Sequence, residues 1–119
     1  NEEEYSDMLD ELQDRFGEMP RSVENLLKIA LIKSMAHSAD VTEVVMNRQE
    51  CRLTMYQRAR IDVASIPTLV DKYKDLLKFV PAEQPYFLYT DTKNKNKDTD
   101  AMIENVKILL NEIKLLLER

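Results

Sequence analysis

The spacing of apolar residues changes repeatedly along this chain of 119 residues, and the changes limit the folds that it can adopt. Over residues 2–16 and 20–38 apolar side chains recur every three or four positions, as on one face of an α-helix. From Val41 to Met46 and from Cys51 to Tyr56 they alternate instead, with the β-branched residues typical of strands. A helical stripe returns at Ile66. The pattern predicts an α+β fold.

The first predicted helix, from Glu2 to Phe16, has one apolar face and one acidic face. Its apolar positions are Tyr5, Met8, Leu9, Leu12 and Phe16, and its acidic positions are Glu3, Glu4, Asp7, Asp10, Glu11 and Asp14. Gly17, the only glycine of the chain, can end this helix in a left-handed cap without steric cost. A sharply amphipathic helix is therefore expected at the start of the chain.

A second helix is expected from Pro20 to Ser38, because proline suits the first turn of a helix. The short link to the first helix predicts a helical hairpin, with Leu12 and Phe16 packed on Val23 and Leu27. Apolar residues extend around much of its circumference, at Val23, Leu26, Leu27, Ile29, Ala30, Leu31, Ile32, Met35 and Ala36. Such a helix is expected to be mostly buried.

The middle of the chain predicts a small, mostly antiparallel sheet. Residues 47–50 are a loop of the right length to join the first two strands as a hairpin. In the second strand Leu53 and Met55 alternate with polar residues, which predicts one buried and one solvated face. Residues 61–63 fit either a third short strand or an extended link. Tyr86 to Thr90 is a further strand, with Pro85 marking an edge or a strand start.

Two more helices complete the prediction. Ser65 is the expected N-cap of a helix that tolerates Pro67 in its first turn and ends near Phe79, before Pro81. A long closing helix is expected from Asp100 to about Arg119. Its apolar stripe consists of Met102, Ile103, Val106, Leu109, Leu110, Ile113, Leu116 and Leu117. The whole of 1–119 is expected to form a single domain, with a hairpin, a small sheet, a helix and the long closing helix.

Composition excludes several classes of function. A net charge of −5 does not supply the basic face of a general nucleic-acid binder, and one cysteine cannot form an intrachain disulfide or a thiolate zinc cage. One glycine excludes a glycine-rich phosphate loop, and the longest apolar runs are too short to span a bilayer. No secretion signal is recognisable, so we expect a cytoplasmic protein without membrane contact. Because the chain opens with Asn1, we expect it to be a piece of a longer polypeptide.

Nucleophilic catalysis is poorly supported by the residues present. The chain has one histidine, His37, at a predicted helix end, and one cysteine, Cys51, in a predicted strand. We interpret Cys51 as a small core or edge residue and His37 as a C-terminal helix residue that favours the helix dipole. The segment is therefore expected to be non-catalytic and to need no cofactor.

The acidic face of the first helix has three interpretations. Asp7, Asp10, Glu11 and Asp14 are consistent with a solvated surface, with a site for a hard divalent cation in a carboxylate-metal enzyme, or with a protein interface. Cation sites usually draw ligands from several elements, whereas these four lie along one helix. Glu11 and Asp14 are neighbours on the helix surface and can together receive arginines from a partner.

The only concentrated positive feature is a loop with Lys93, Lys95 and Lys97 separated by asparagines. A solvated loop is the simpler interpretation. The alternative is a small nucleic-acid-binding adaptor, in which three lysines would give weak, salt-sensitive attraction to phosphates without reading sequence.

Residues 11–20, which read E-L-Q-D-R-F-G-E-M-P, resemble the start of the C-terminal domain of bacterial transcription-repair coupling factors (Mfd). The small and apolar residues of the second helix continue the resemblance at Val23, Leu26, Leu27, Ile29, Ala30 and Lys33. A looser likeness covers nearly the whole chain. The resemblance implies a regulatory domain cut from a longer multidomain, ATP-dependent DNA translocase whose motor lies upstream. That translocase acts on stalled RNA polymerase and DNA and recruits the excision-repair machinery.

The resemblance also implies a partner. The family's domain packs on a UvrB-like module of the same polypeptide and masks the surface that UvrA recognises. Glu11 and Asp14 match the acidic positions through which the family meets basic residues of that module. Arg15 and Phe16 match as well, and we assign Phe16 to the core. The chain departs from the family at Asp40-Val41, where relatives commonly carry Gly-Ile, so Asp40 is expected to adopt a left-handed cap.

Overall fold

The structure, a computed structural model, describes residues 1–16, 20–47, 49–91 and 99–117, without the side chains of residues 9 and 12–16. The main elements are α1 (Glu2–Phe16), α2 (Arg21–Ser38), β1 (Val41–Met46), β2 (Glu50–Met55), α3 (Ile66–Lys72), β3 (Leu77–Val80), β4 (Tyr86–Thr90) and α4 (Thr99–Leu115). Short 3-10 turns lie at Val63–Ser65 and Lys74–Leu76. The α+β prediction, with an N-terminal pair of helices and a long closing helix, is confirmed.

The four strands form one antiparallel sheet in the order β1-β2-β4-β3. The predicted β1–β2 hairpin is present. At its loop the side-chain oxygen of Asn47 accepts hydrogen bonds from the backbone N–H groups of Gln49 and Glu50, at 2.8 and 2.9 Å. Asparagine favours such turns because its side chain can bond to backbone groups two or three residues ahead. This local bonding helps to set the register of the hairpin.

One face of the sheet is buried in the core together with α4. Leu53 and Met55 of β2 are fully buried, as their alternation with polar residues predicts. The predicted α4 stripe is buried at Met102, Ile103, Val106, Leu109, Leu110 and Ile113. Each large apolar side chain removed from water contributes about 1.5–3 kcal/mol. These buried residues belong to one hydrophobic cluster with residues of α2 and α3, and its burial is a main source of the stability of the fold.

The prediction that α2 is mostly buried is wrong for its first half. Leu31, Ile32 and Ala36 are buried against the core, but Val23, Leu26 and Ile29 are exposed. Only the C-terminal half of α2 contributes buried side chains to the core. Apolar composition showed that α2 had surface to bury, but it could not show where the core ends.

The predicted helix from Ser65 to Phe79 is also wrong in its second half. It ends at Lys72, and after the 3-10 turn the chain enters β3 and pairs with β4. Lys74 has a φ of 55°, which an α-helix does not accommodate. Pairing brings Phe79 beside Phe87, with ring centroids 4.9 Å apart. These sheet contacts override the local helical spacing.

Ser65 occupies the N-cap position of α3, as predicted, but its side chain forms no capping hydrogen bond to the helix. It lies in the preceding 3-10 turn, and its hydroxyl donates to the Asp62 carboxylate at 2.7 Å. Pro67 occupies the first turn of α3, as predicted. Ile61 forms an isolated bridge with Leu117, so residues 61–63 are a link and not a sheet strand.

Asp40 adopts the predicted left-handed conformation, with a φ of 57°. Its carbonyl accepts a hydrogen bond from the N–H of Tyr56 at 2.7 Å, which ties the α2–β1 turn to the end of β2. Pro85 precedes β4 as a strand start, although β4 is an inner strand. The Lys93, Lys95 and Lys97 loop and the proposed packing of Leu12 and Phe16 lie outside what the structure describes.

Candidate protein interface on the first helix

The N-terminus of α1 is built from acidic and capping residues. Asn1 lies before the helix, and its side-chain oxygen accepts a hydrogen bond from the N–H of Glu4 at 2.8 Å. The first turn carries Glu2, Glu3 and Glu4. Negative charge in this turn is stabilised by the positive end of the helix dipole. Local sequence thus favours helix formation and places acidic residues along α1.

A cluster of charged residues attaches α1 to α4. The Lys107 ammonium lies 2.9 Å from a Glu2 carboxylate oxygen and 3.3 Å from Glu104, and its side chain is only 12% exposed. Burial lowers the pKa of Lys107, but hydrogen bonding and attraction to Glu2 and Glu104 outweigh it, so the pKa is raised. Lysine in this position stays charged and bridges the two helices.

A second contact of α1 involves Tyr5. Its hydroxyl is buried without a hydrogen-bond partner among the described residues, at a cavity of about 40 Å³ lined in part by Lys28 and Lys107. Burial raises the pKa of Tyr5, so the phenol stays neutral. Lys28 is engaged elsewhere, by Asp100 at 3.1 Å and by Glu24 at 3.6 Å. Tyr5 and Lys107 together orient α1 on the molecule.

This orientation leaves acidic side chains of α1 in solvent. Asp7, Asp10 and Glu11 are exposed, and Asp14, the fourth predicted interface residue, belongs to the part of α1 whose side chains are not described. Asp7 lies three residues before Asp10 and four before Glu11, so the three carboxylates are neighbours on the helix surface. Asp7 and Asp10 are like charges at this spacing, and a cationic partner would relieve their repulsion.

Exposed apolar residues accompany the acidic ones on the helical hairpin. Leu26 is 66% exposed, Ile29 46% and Met8 41%, and Val23 is exposed as well. The spacing of apolar residues assigned all four to buried surface, so this part of the surface was missed. Exposed apolar and charged side chains on the same pair of helices are the combination that protein interaction sites use.

The other sequence candidates do not come together as a reactive site. Cys51 is fully buried on β2, and burial raises the pKa of its thiol to about 12, which is the reverse of nucleophile activation. His37 lies exposed in the last turn of α2. Among the described residues no group of three or more histidine, cysteine, aspartate or glutamate side chains could hold a metal ion. Every helix in the described part also falls short of the length and apolar character that a bilayer span requires.

Comparison with known proteins identifies the family. The model of the TRCF domain family matches residues 1–66, more than half of the chain, including α1, α2, β1 and β2. A search of curated proteins finds no match. The matched region contains the exposed acidic residues of α1 and the exposed apolar residues of α2. The chain belongs to the TRCF domain family, the C-terminal domain of transcription-repair coupling factors.

Proposed function

We propose that this domain is the autoinhibitory lock of a transcription-coupled DNA repair translocase. In this proposal residues 1–119 are a non-catalytic regulatory domain of a longer polypeptide whose ATP-dependent motor lies upstream. The domain packs on a UvrB-like module of the same polypeptide and masks the surface that UvrA recognises. RNA polymerase and DNA are partners of the rest of the protein. The domain itself holds no cofactor and acts in the cytoplasm.

The observation that carries this proposal is that α1 and α2 expose both acidic and apolar side chains. Asp7, Asp10 and Glu11 supply negative charge, and Leu26 and Ile29 supply apolar surface. Interfaces combine an apolar centre with a polar rim, and arginine is enriched in them. A basic surface on the UvrB-like module would complement this combination.

The energetics favour a lock that can open. Removing one member of a desolvated, hydrogen-bonded charge pair costs about 2–5 kcal/mol. A change of this size shifts a two-state equilibrium by a factor of about 30 or more. Glu11 and Asp14, which lie three residues apart, are the proposed pair of acceptors for arginine.

The proposal is tested in the full-length protein by reversing both charges, with Glu11→Lys and Asp14→Lys together. We expect the closed form to weaken and the affinity for UvrA to rise at least ten-fold, because like charges would now face each other across the interface. The matched control is Asp71→Lys with Asp75→Lys, which makes the same change of charge at exposed positions in and just after α3. The control should bind UvrA as the unaltered protein does.

Unchanged UvrA affinity in the α1 variant would contradict the proposed surface. An equal rise in both variants would show an effect of total charge alone and would also contradict it. Circular dichroism of each variant verifies that the domain is folded, since both pairs of substitutions leave the described core untouched.

A further inference from the structure

One polar atom at the junction of α1, α2 and α4 is buried without a partner. The Tyr5 hydroxyl is shielded from solvent and forms no hydrogen bond with the described residues. A buried hydroxyl without a hydrogen bond destabilises a fold, and such groups are usually bonded either to protein or to ordered water. The partner of Tyr5 is therefore expected in the space that its side chain lines.

That space is a cavity of about 40 Å³ between the three helices. Its lining consists of Tyr5 from α1, Lys28 and Leu31 from α2, and Ile103, Glu104 and Lys107 from α4. A cavity needs about 10–15 Å³ and two to four polar partners to hold a water molecule, whereas pockets for organic ligands measure about 300–1,000 Å³. The cavity has room for water and is too small for an organic ligand.

Lys107 can donate a hydrogen bond into this cavity. Its ammonium group has three N–H donors, and carboxylate oxygens of Glu2 and Glu104 lie 2.9 and 3.3 Å from the nitrogen. The described residues thus engage two of the donors, and the third can serve a molecule in the cavity. Glu104 also lines the cavity, and a carboxylate can accept more than one hydrogen bond.

Lys28 supplies a second donor, from α2. Its nitrogen lies 3.1 Å from an Asp100 oxygen and 3.6 Å from a Glu24 oxygen, so one of its three N–H groups also remains for another acceptor. Burial is the largest influence on the pKa of Tyr5 and raises it, while the positive charges of Lys28 and Lys107 oppose this rise. Both ammonium groups therefore lie near the Tyr5 hydroxyl.

The charges around the cavity favour a neutral occupant. Two ammonium groups line it, and four carboxylates pair with them. An anion would be repelled by those carboxylates, and a cation would be repelled by both ammonium groups. Either ion would also lose most of its hydration in so small a space. A small neutral molecule that both donates and accepts hydrogen bonds fits the site, and water has these properties.

We propose that this cavity binds an internal water molecule that joins α1 to α2 and α4. The water accepts hydrogen bonds from the remaining N–H groups of Lys28 and Lys107 and donates to the oxygens of Tyr5 and Glu104. Tyr5 thereby gains its partner, and the water makes the full set of four hydrogen bonds. The water helps to fix the orientation of α1 and does not depend on what the acidic face of α1 binds.

A high-resolution crystal structure of the 119-residue chain tests the proposal directly. We expect density for a water oxygen in the cavity, about 2.5–3.2 Å from the Tyr5 hydroxyl oxygen and from the nitrogen of Lys28 or Lys107. A direct hydrogen bond between either lysine and Tyr5, an ion in place of the water, or a dry cavity would each overturn the proposal.

Tyr5→Phe distinguishes a hydrated cavity from a dry one in solution. If water bonds to the hydroxyl, the substitution should lower the equilibrium constant for folding about two- to ten-fold, the scale of one hydrogen bond. A dry cavity predicts a higher constant, because the variant lacks an unsatisfied buried hydroxyl. The control is Tyr56→Phe, at an exposed tyrosine, which should change the constant little. In urea unfolding, a constant for Tyr5→Phe that rises, or that matches the control, would contradict the bound water.

Discussion

Asp40 and Lys74 hold left-handed backbone conformations, with φ of 57° and 55°. A residue with a Cβ pays about 1–2 kcal/mol there, less for aspartate, whereas glycine adopts the conformation freely. We expect Lys74→Gly to raise the free energy of unfolding by up to about 1 kcal/mol and Asp40→Gly by less, since glycine also adds entropy to the unfolded chain. Urea unfolding measures both. A free energy of unfolding clearly lower for Lys74→Gly than for Lys74→Ala would contradict the proposal that the left-handed backbone at residue 74 is strained.

Cys51 provides a second test at this scale. Burial raises its pKa to about 12 from an ordinary value of 9.0, so its thiolate is scarce at pH 8. The thiolate is the reactive form, so alkylation of the folded chain should be roughly a thousand-fold slower than that of the chain unfolded in urea. Iodoacetamide labelling followed by mass spectrometry is unambiguous because the chain has one cysteine. Similar rates in the two states would contradict the burial of Cys51.

Single residues were predictable where the signal was local. The left-handed Asp40 followed from its place in the family's motif, and burial of Leu53 and Met55 followed from simple alternation with polar neighbours. Lys74 gave no comparable signal, because lysine has no preference for that conformation. Lys74 lies where the chain turns from α3 into β3, and this turn fixes its left-handed backbone conformation.

At the scale of elements, α1 is held on α4 by the bridge from Lys107 to Glu2. Lys107→Met should lower the free energy of unfolding by about 1 kcal/mol, because Glu2 and Glu104 are partly exposed and recover water contacts. Lys78→Met, at an exposed lysine of β3 that forms no ion pair with any residue in the described part of the chain, is the matched control and should change stability little. Urea unfolding at pH 7 compares the two variants. Equal changes in the free energy of unfolding of the two variants would show that the Lys107 bridge does not contribute to stability.

The same bridge predicts a dependence on pH. The pKa of Lys107 is raised in the folded chain above its ordinary value of 10.5, because pairing outweighs the opposing effect of burial. Its contribution is therefore fully present below the unfolded pKa and is lost as pH rises through the folded pKa. The stability difference between the unaltered chain and Lys107→Met should shrink above about pH 10.5. A difference that stays constant to pH 11.5 or beyond would contradict this explanation.

Most elements followed from hydrophobic periodicity, and the exceptions have a physical cause. α1, α2, β1, β2, β4 and α4 lie close to their predicted ranges. β3 was missed because Leu76 and Leu77 continue the helical spacing of Leu69 and Tyr73. Antiparallel pairing with β4, the next strand along the chain, decides the conformation there, and the helical spacing of the apolar residues did not indicate that pairing. Ser65 is the N-cap of α3 as predicted, but its hydroxyl bonds to Asp62 and not to the backbone of the helix.

At the scale of the whole molecule, the core ends midway along α2. The sheet, α4 and the second half of α2 share one apolar cluster, whereas Val23, Leu26 and Ile29 remain outside it. Periodicity identified apolar faces but not the partners that cover them, so this exposed surface was not predictable. The acidic side chains of Asp7, Asp10 and Glu11 were placed correctly in solvent, because they lie opposite the apolar face of α1.

The central claim is that α1 binds the UvrB-like module, and the most direct test is the affinity of this chain for that module made separately. Isothermal titration should show binding that falls at least ten-fold in the Glu11→Lys, Asp14→Lys variant and weakens at higher salt, as expected for charge pairs. The Asp71→Lys, Asp75→Lys variant should bind as the unaltered chain does. Absence of binding by the unaltered chain, or equal affinity of all three chains, would contradict the account.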